Sequence, residues 1–161
     1  MLPEKYRIAL IVISKRLAGT DWCLVGSSNL VLQGLAVGAG DIDIKIPIRD
    51  VDFVQKALQE YCVKPIKYSE NEKFRSYFGQ FTIQSISIDV MSDLSVHTNS
   101  GWIDTTLLDF KTIQIGVDGA MLPCLDLKSE WTSYKLLGRT EMTERIGRFI
   151  EERKQETLDR C

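Results

Sequence analysis

The run Asp41-Ile42-Asp43-Ile44-Lys45-Ile46 alternates polar and apolar residues without a break. Successive side chains of a β-strand point to opposite faces, so a period of two marks a strand with one buried side. Ile42, Ile44 and Ile46 face a core, while Asp41, Asp43 and Lys45 share the other face. The strand is expected over Asp41–Ile48. Two carboxylates this close repel each other, and one takes up a proton unless a cation lies between them. A hard divalent ion such as Mg²⁺, or Mn²⁺ in its place, suits carboxylate and phosphate oxygens. A lone Asp-x-Asp also suits an exposed strand face with two solvated acids. Lys45 either balances the acids, touches phosphate, or is a plain strand-surface lysine.

A second alternating run, Ile86-Ser87-Ile88-Asp89-Val90-Met91, sets one acid among neutral residues. Acids are depleted from strands, so Asp89 asks for a reason. If this strand pairs beside the first, Asp89 completes a cluster of three carboxylates. Such a cluster can hold two metals about 4 Å apart on a triphosphate. A third feature is Val25-Gly26-Ser27-Ser28, where a short apolar strand, Trp22–Val25, gives way to a short helix over Asn29–Leu32. Gly26 lets a ligand approach the backbone. The helix start offers free N–H groups to phosphate, and Ser27 adds a hydroxyl.

The rest of the chain supports a mixed sheet flanked by helices, in an α/β or α+β arrangement. A helix is expected over residues 4–18, with Pro3 at its start and Gly19 at its end. Another is expected from Asp50 to Tyr61, followed by an edge strand over Val63–Tyr68 that tolerates Pro65. Strands are expected at Phe78–Ile83 and Ile86–Met91 about a Gln84-Ser85 turn, and Asp93 is expected in a loop or helix cap. Asp118-Gly119 marks a hairpin between Lys111–Val117 and Ala120–Cys124. The end is helical, Asp126–Leu137 and Thr140–Arg160, broken at Gly138. With 161 residues, one domain over 1–161 is expected, its core about 20–125 and its C-terminal helices about 126–160.

Lys+Arg total 20 against 22 Asp+Glu, a net charge of -2, so bulk electrostatic binding of nucleic acid is not expected. Any nucleotide must be held locally. No apolar run reaches the ~18 residues of a membrane helix, and Met1-Leu2-Pro3-Glu4-Lys5 does not resemble a signal peptide. Cys23, Cys62, Cys124 and Cys161 show no knuckle or redox spacing, and His97 is the sole histidine. Reduced cysteines in a cytoplasmic protein are the expectation.

Taken together, Gly26-Ser27, the short helix, Asp41-Ile42-Asp43 and the later acid Asp89 resemble the DNA polymerase β-like nucleotidyltransferase superfamily. The resemblance is closer still to its small stand-alone prokaryotic members. It takes in Glu72-Lys73, Ser76-Tyr77-Phe78-Gly79, Ile88-Asp89-Val90-Met91 and the helix Leu127–Arg139 with Lys135. It implies the superfamily's fold. It implies a metal-dependent transfer of a nucleoside monophosphate from an NTP to a hydroxyl, with release of pyrophosphate. Asp41, Asp43 and Asp89 would bind metal and act in catalysis, with Asp89 helping to deprotonate the acceptor. Gly26, Ser27 and Ser28 would cradle phosphates, with Lys45, Lys73 and Lys135 as further nucleotide contacts. The acceptor is left open among small molecule, protein and RNA, and a homodimer is allowed. Two rivals remain: a non-catalytic metal–NTP-binding module, and a partner in a toxin–antitoxin-like pair. The stretch from Ser27 to Asp41 is long and glycine-rich for the motif, and Arg139 is followed by Thr140-Glu141 where larger relatives carry a Lys-Asp pair.

Overall fold

The computed structural model describes residues 1–161. The chain begins with α1 (Glu4–Arg16), β1 (Cys23–Val25), α2 (Gly26–Leu32) and β2 (Ile42–Lys45). Next come α3 (Val51–Ala57), β3 (Cys62–Glu70), β4 (Phe74–Ile83), β5 (Ile86–Thr98) and β6 (Gly101–Asp104). The hairpin β7 (Thr112–Val117) and β8 (Ala120–Leu125) leads into α4 (Leu127–Leu136) and α5 (Thr140–Asp159). All eight strands join one mixed sheet in the order β3-β4-β5-β2-β1-β8-β7, with β6 paired to the far end of β5. This is the mixed α/β architecture expected from the sequence. No helix is long and apolar enough to cross a membrane.

The alternation in the central strands makes the core. Ile42 and Ile44 of β2, Ile88 and Val90 of β5, Leu24 of β1 and Leu122 of β8 are all fully buried. They belong to one cluster with Ala9, Leu10, Ile13 and Leu17 at the apolar face of α1. That cluster also takes in Val54 and Leu58, from α3 and the residue that closes it. With one face of the sheet covered in this way, the polar residues of the same strands turn to the other face.

Several elements differ from the expected bounds. The helix expected over Asp50–Tyr61 is shorter, with 3₁₀ turns at Ile48–Asp50 and Gln59–Tyr61 around α3. Strand β5 runs on to Thr98 because β6 pairs with its outer half; the polar residues around Gly101 hid that partner. Asp93, expected in a loop or helix cap, lies inside β5 at φ +52°. The pairing of β4 with β5 slips there, between Arg75 and Tyr77, which is the signature of a bulge. Strand β3 is at the sheet edge, where Pro65 has no ladder bond to forfeit.

The β4–β5 hairpin turns through Gln84 at φ +54° and Ser85 at φ +63°. Both lie in the left-handed region that such two-residue turns demand, with no glycine to relieve it. Ser85→Gly should raise the unfolding free energy by about 0.5–1 kcal/mol, the left-handed penalty less the chain-entropy cost of glycine. Urea denaturation of the two proteins checks this.

Candidate active site

Strands β2 and β5 are parallel neighbours, and their register sets Asp43 directly opposite Asp89. Their buried partners in the same register, Ile42 with Ile88 and Ile44 with Val90, fix which way the acids turn. Asp41 is not part of the strand: it is exposed, just ahead of Ile42. The expected trio is therefore a pair on adjoining strands with a third acid at the strand's entrance. A cavity of about 470 Å³ opens over the pair, lined by Gly26, Asp43, Lys45 and Asp89 from the sheet side. Glu130, Tyr134 and Arg139 line it from α4 and the turn after it.

Gly26 occupies the corner between β1 and α2 at φ +77°. A Cβ there would come within 2.7 Å of Asp43 Oδ2, so only glycine lets the corner close over the carboxylate. The Gly26 N–H is already engaged: it donates to Glu130 Oε1 at 2.8 Å. Asn29 Nδ2 donates to the same oxygen at 2.9 Å and to the Leu125 carbonyl at 2.8 Å. Ser27 Oγ accepts the Gly40 N–H at 3.1 Å, and Ser28, which is buried, donates from Oγ to the Asp41 carbonyl at 3.3 Å. Neither serine lines the cavity; both tie the glycine-rich connection, and with it Asp41, to α2.

Charge is poorly balanced in this cavity. Asp43 accepts no hydrogen bond from the protein, whereas Asp89 Oδ1 accepts one from Gln80 Nε2 at 3.1 Å. Burial pushes the Asp43 carboxyl up to about 7, helped by Asp89, Asp41 and Glu130 and opposed by Arg139. Burial also raises Asp89, with the Gln80 hydrogen bond working against it and Asp41 with it. Glu130 is only 1% exposed; its burial lifts its carboxyl to about 7 despite the hydrogen bonds from Asn29 and Gly26 and the nearby charge of Lys45. Lys45 is lowered by burial, with Glu130 and Cys23 opposing. Its ammonium stands 4.9 Å from the Phe110 ring centroid. Burial and Glu130 push the Tyr134 phenol up to about 12, which keeps it a hydrogen-bond donor.

The other two expected lysines are elsewhere. Lys73 donates to the Leu137 carbonyl at 3.2 Å and does not line the cavity. Lys135 is exposed, 4.9 Å over the Trp131 ring. Spacing of four puts Trp131, Lys135 and Arg139 on one face only if the helix continues, and it does not. Gly138, at φ +72°, donates to the Lys135 carbonyl and Arg139 to that of Tyr134, both at 3.0 Å. This pair of bonds closes α4 as a Schellman turn and swings Arg139 to the cavity, where Lys135 does not follow. Glu130 was missed by sequence reasoning. Its signal was the helical spacing that puts it on the core side, three residues after Leu127 and four before Tyr134.

The donor set suits a hard cation. No three His, Cys, Asp or Glu side chains are close enough to hold an ion unaided. Magnesium, however, usually takes one or two carboxylates and completes its shell with substrate phosphates and water. Asp43, which accepts no hydrogen bond, and Asp89 beside it are the residues that could supply such a partial shell.

Comparison with solved structures places this arrangement. A Thermotoga maritima protein assigned as a nucleotidyltransferase has a crystal structure of the same fold, with a TM-score of 0.78 and 28% identity; 94% of this chain and 96% of that one are covered. The crystal structure of ANT(2'')-Ia with adenylyl-2''-tobramycin matches at a TM-score of 0.60 and 10% identity over 95% of this chain and 94% of that one. The solution structure of ANT(2'')-Ia matches at 0.52 and 11% over 98% and 97%. At such low identity the ANT(2'')-Ia pair speaks for the fold alone. No curated protein matches the chain. The class is thus a nucleotidyltransferase. More narrowly, residues 8–148 match the family model of aminoglycoside-2''-adenylyltransferases, and the chain belongs to that family.

A carboxyl whose pKa is higher in the folded than in the unfolded state holds its proton more tightly when folded. The stabilisation from Asp43 is therefore complete below about pH 4 and is lost as the pH rises toward about 7. Without metal, Asp43→Asn should unfold at a higher temperature than wild type near pH ~8, and the gap should close toward pH ~4. Thermal melts across that range check this.

Proposed function

We propose that the chain transfers a nucleoside monophosphate from an NTP, with ATP as the donor, to the hydroxyl of a small amine-bearing polyol. The description of its family and the adenylated tobramycin held by ANT(2'')-Ia support this choice of donor and acceptor. The observation that carries the reading is the register of Asp43 against Asp89 beneath the Gly26 corner. Mg²⁺, or Mn²⁺, would be held by Asp43 and Asp89, with Asp41 at the rim, and would neutralise charge on the triphosphate.

The chemistry is in-line displacement. The acceptor oxygen bonds to the α-phosphorus, the bond from that phosphorus to the bridging oxygen breaks, and pyrophosphate leaves. The hydroxyl proton passes to the Asp89 carboxylate, which lines the same cavity. Arg139, beside the same cavity, stands to meet phosphate charge. Glu130 engages the Gly26 N–H, so it holds the corner over Asp43. Most of the rate enhancement in such transfers comes from positioning and electrostatics.

The test is incubation with α-labelled ATP, Mg²⁺ and an aminoglycoside panel, following labelled product and pyrophosphate. Wild type should produce both. Asp43→Asn and Asp89→Asn should each lower the rate by at least ~10²-fold, the scale of a lost electrostatic group in a water-poor site. Labelled product formed equally well by Asp43→Asn would refute the assignment. Binding of Mg–ATP without pyrophosphate from any acceptor would leave the chain a non-catalytic nucleotide module.

A further inference from the structure

Strand β7 ends the sheet on one side and β3 ends it on the other. The two edges are built differently. β3 carries Lys64, Pro65, Lys67 and Glu70, and its pairing with β4 slips twice. Charges, proline and irregular pairing all keep a foreign strand from adding to an edge. β7 has neither a charge nor a proline from Thr112 to Val117, and its pairing with β8 is unbroken. Thr112, Ile113, Gln114 and Gly116 are all exposed.

The register fixes which backbone groups of β7 are unpaired. Asp118-Gly119 is a two-residue turn, so Val117 and Ala120 bond to each other, and every second residue before Val117 likewise turns its N–H and C=O to β8. The Asp126 N–H donates to the Lys111 carbonyl at 2.9 Å, in step with that alternation. Thr112, Gln114 and Gly116 therefore point their backbone groups away from β8, where no strand meets them. A row of unpaired donors and acceptors on an uncharged strand is a template for another strand.

The strand is its own complement. An antiparallel partner must bring outward-facing residues opposite outward-facing residues, which a two-fold axis through Gln114 does. Thr112 then opposes the partner's Gly116, and Gln114 opposes the partner's Gln114, for about six backbone hydrogen bonds in all. Between them, Ile113 opposes the partner's Ile115. Ile113 is 41% exposed and borders a groove walled by Leu127, Ile150 and Leu158, so the pairing covers apolar surface. The Gln114 carboxamide carries both donor and acceptor, so it can bond its copy across the axis. Charge selects the antiparallel arrangement, because Lys111 precedes the strand and Asp118 follows it. Antiparallel pairing brings Lys111, which forms no ion pair within the chain, toward the partner's Asp118, which is half-exposed beside Arg7. Parallel pairing would set like charges together.

We propose that β7 is a docking edge for a second copy of this chain, the two β7 strands pairing antiparallel about Gln114 into one continuous sheet. So small an interface gives a weak dimer, with a Kd of about 10–100 µM. The test is sedimentation equilibrium of the full chain at low salt, over ~10 µM to ~1 mM, which brackets that Kd. Wild type should pass from monomer to dimer, and amide hydrogen exchange should slow at Thr112, Gln114 and Gly116 as it does. Gln114→Lys and Gln114→Glu, both at an exposed position, each set like charges opposite one another on the axis and should weaken the dimer about five-fold. An equimolar mixture of the two variants sets Lys opposite Glu and should dimerise as well as wild type. A wild-type chain that stays monomeric to ~1 mM would leave the edge to some other strand and overturn the proposal. So would a dimer that both variants form as readily as wild type, or a mixture no tighter than either variant alone.

Discussion

The parallel pairing of β2 with β5 sets two carboxylates side by side, and the site is organised around the repulsion between them. The pairing itself is driven from the opposite face of the sheet. Ile42 and Ile44 meet Ile88 and Val90 in register, and all four are removed from water. A slip of β2 by one residue would turn Ile42 and Ile44 out to water and Asp43 into the core, so the register is held by the hydrophobic term. The electrostatic penalty at Asp43 is imposed by a core that has nothing to do with chemistry. The cation and triphosphate of the proposed function would relieve it, so the site would be made receptive before its ligand arrives.

Glu130 does for the helices what that register does for the strands. Its buried carboxylate collects the Gly26 N–H and the Asn29 amide, so α4 is pinned to the corner from which α2 starts. The Schellman turn at Gly138 then ends α4 in time for Arg139 to turn into the cavity. Three acids, Asp43, Asp89 and Glu130, thus face two cations, Lys45 and Arg139, across one space. A buried acid with two donors from separate elements positions backbone as much as it carries charge.

Local patterns were the legible part of the fold. The period of two exposed β2 and the start of β5, Asp118-Gly119 exposed the β7–β8 hairpin, and Pro3 and Gly19 bracketed α1. What escaped was settled by partners distant in sequence. Strand β6 exists because the far half of β5 offers it an edge, and Asp93 is in a strand because β4 and β5 carry unequal numbers of residues across their bulge. Lys135 was expected to contact the nucleotide, but it is exposed over the Trp131 ring, while Gly138 in the left-handed region ends the helix and Arg139 lines the cavity instead. Ser27 and Ser28, read as phosphate ligands, tether a connection in this structure.

By itself the sequence determined that the chain holds a strand carrying Asp43 opposite a row of isoleucines, a second strand with a single acid, and a glycine at a strand-to-helix corner. These are short-range facts, decided by side-chain alternation and by the φ angles that residues tolerate. Only the tertiary structure decided that Asp43 and Asp89 are opposite one another while Asp41 stands outside the strand. It also decided that Glu130 closes the corner. The reason is that distances between elements are set by which apolar faces bury each other, and that choice is made by the whole core at once.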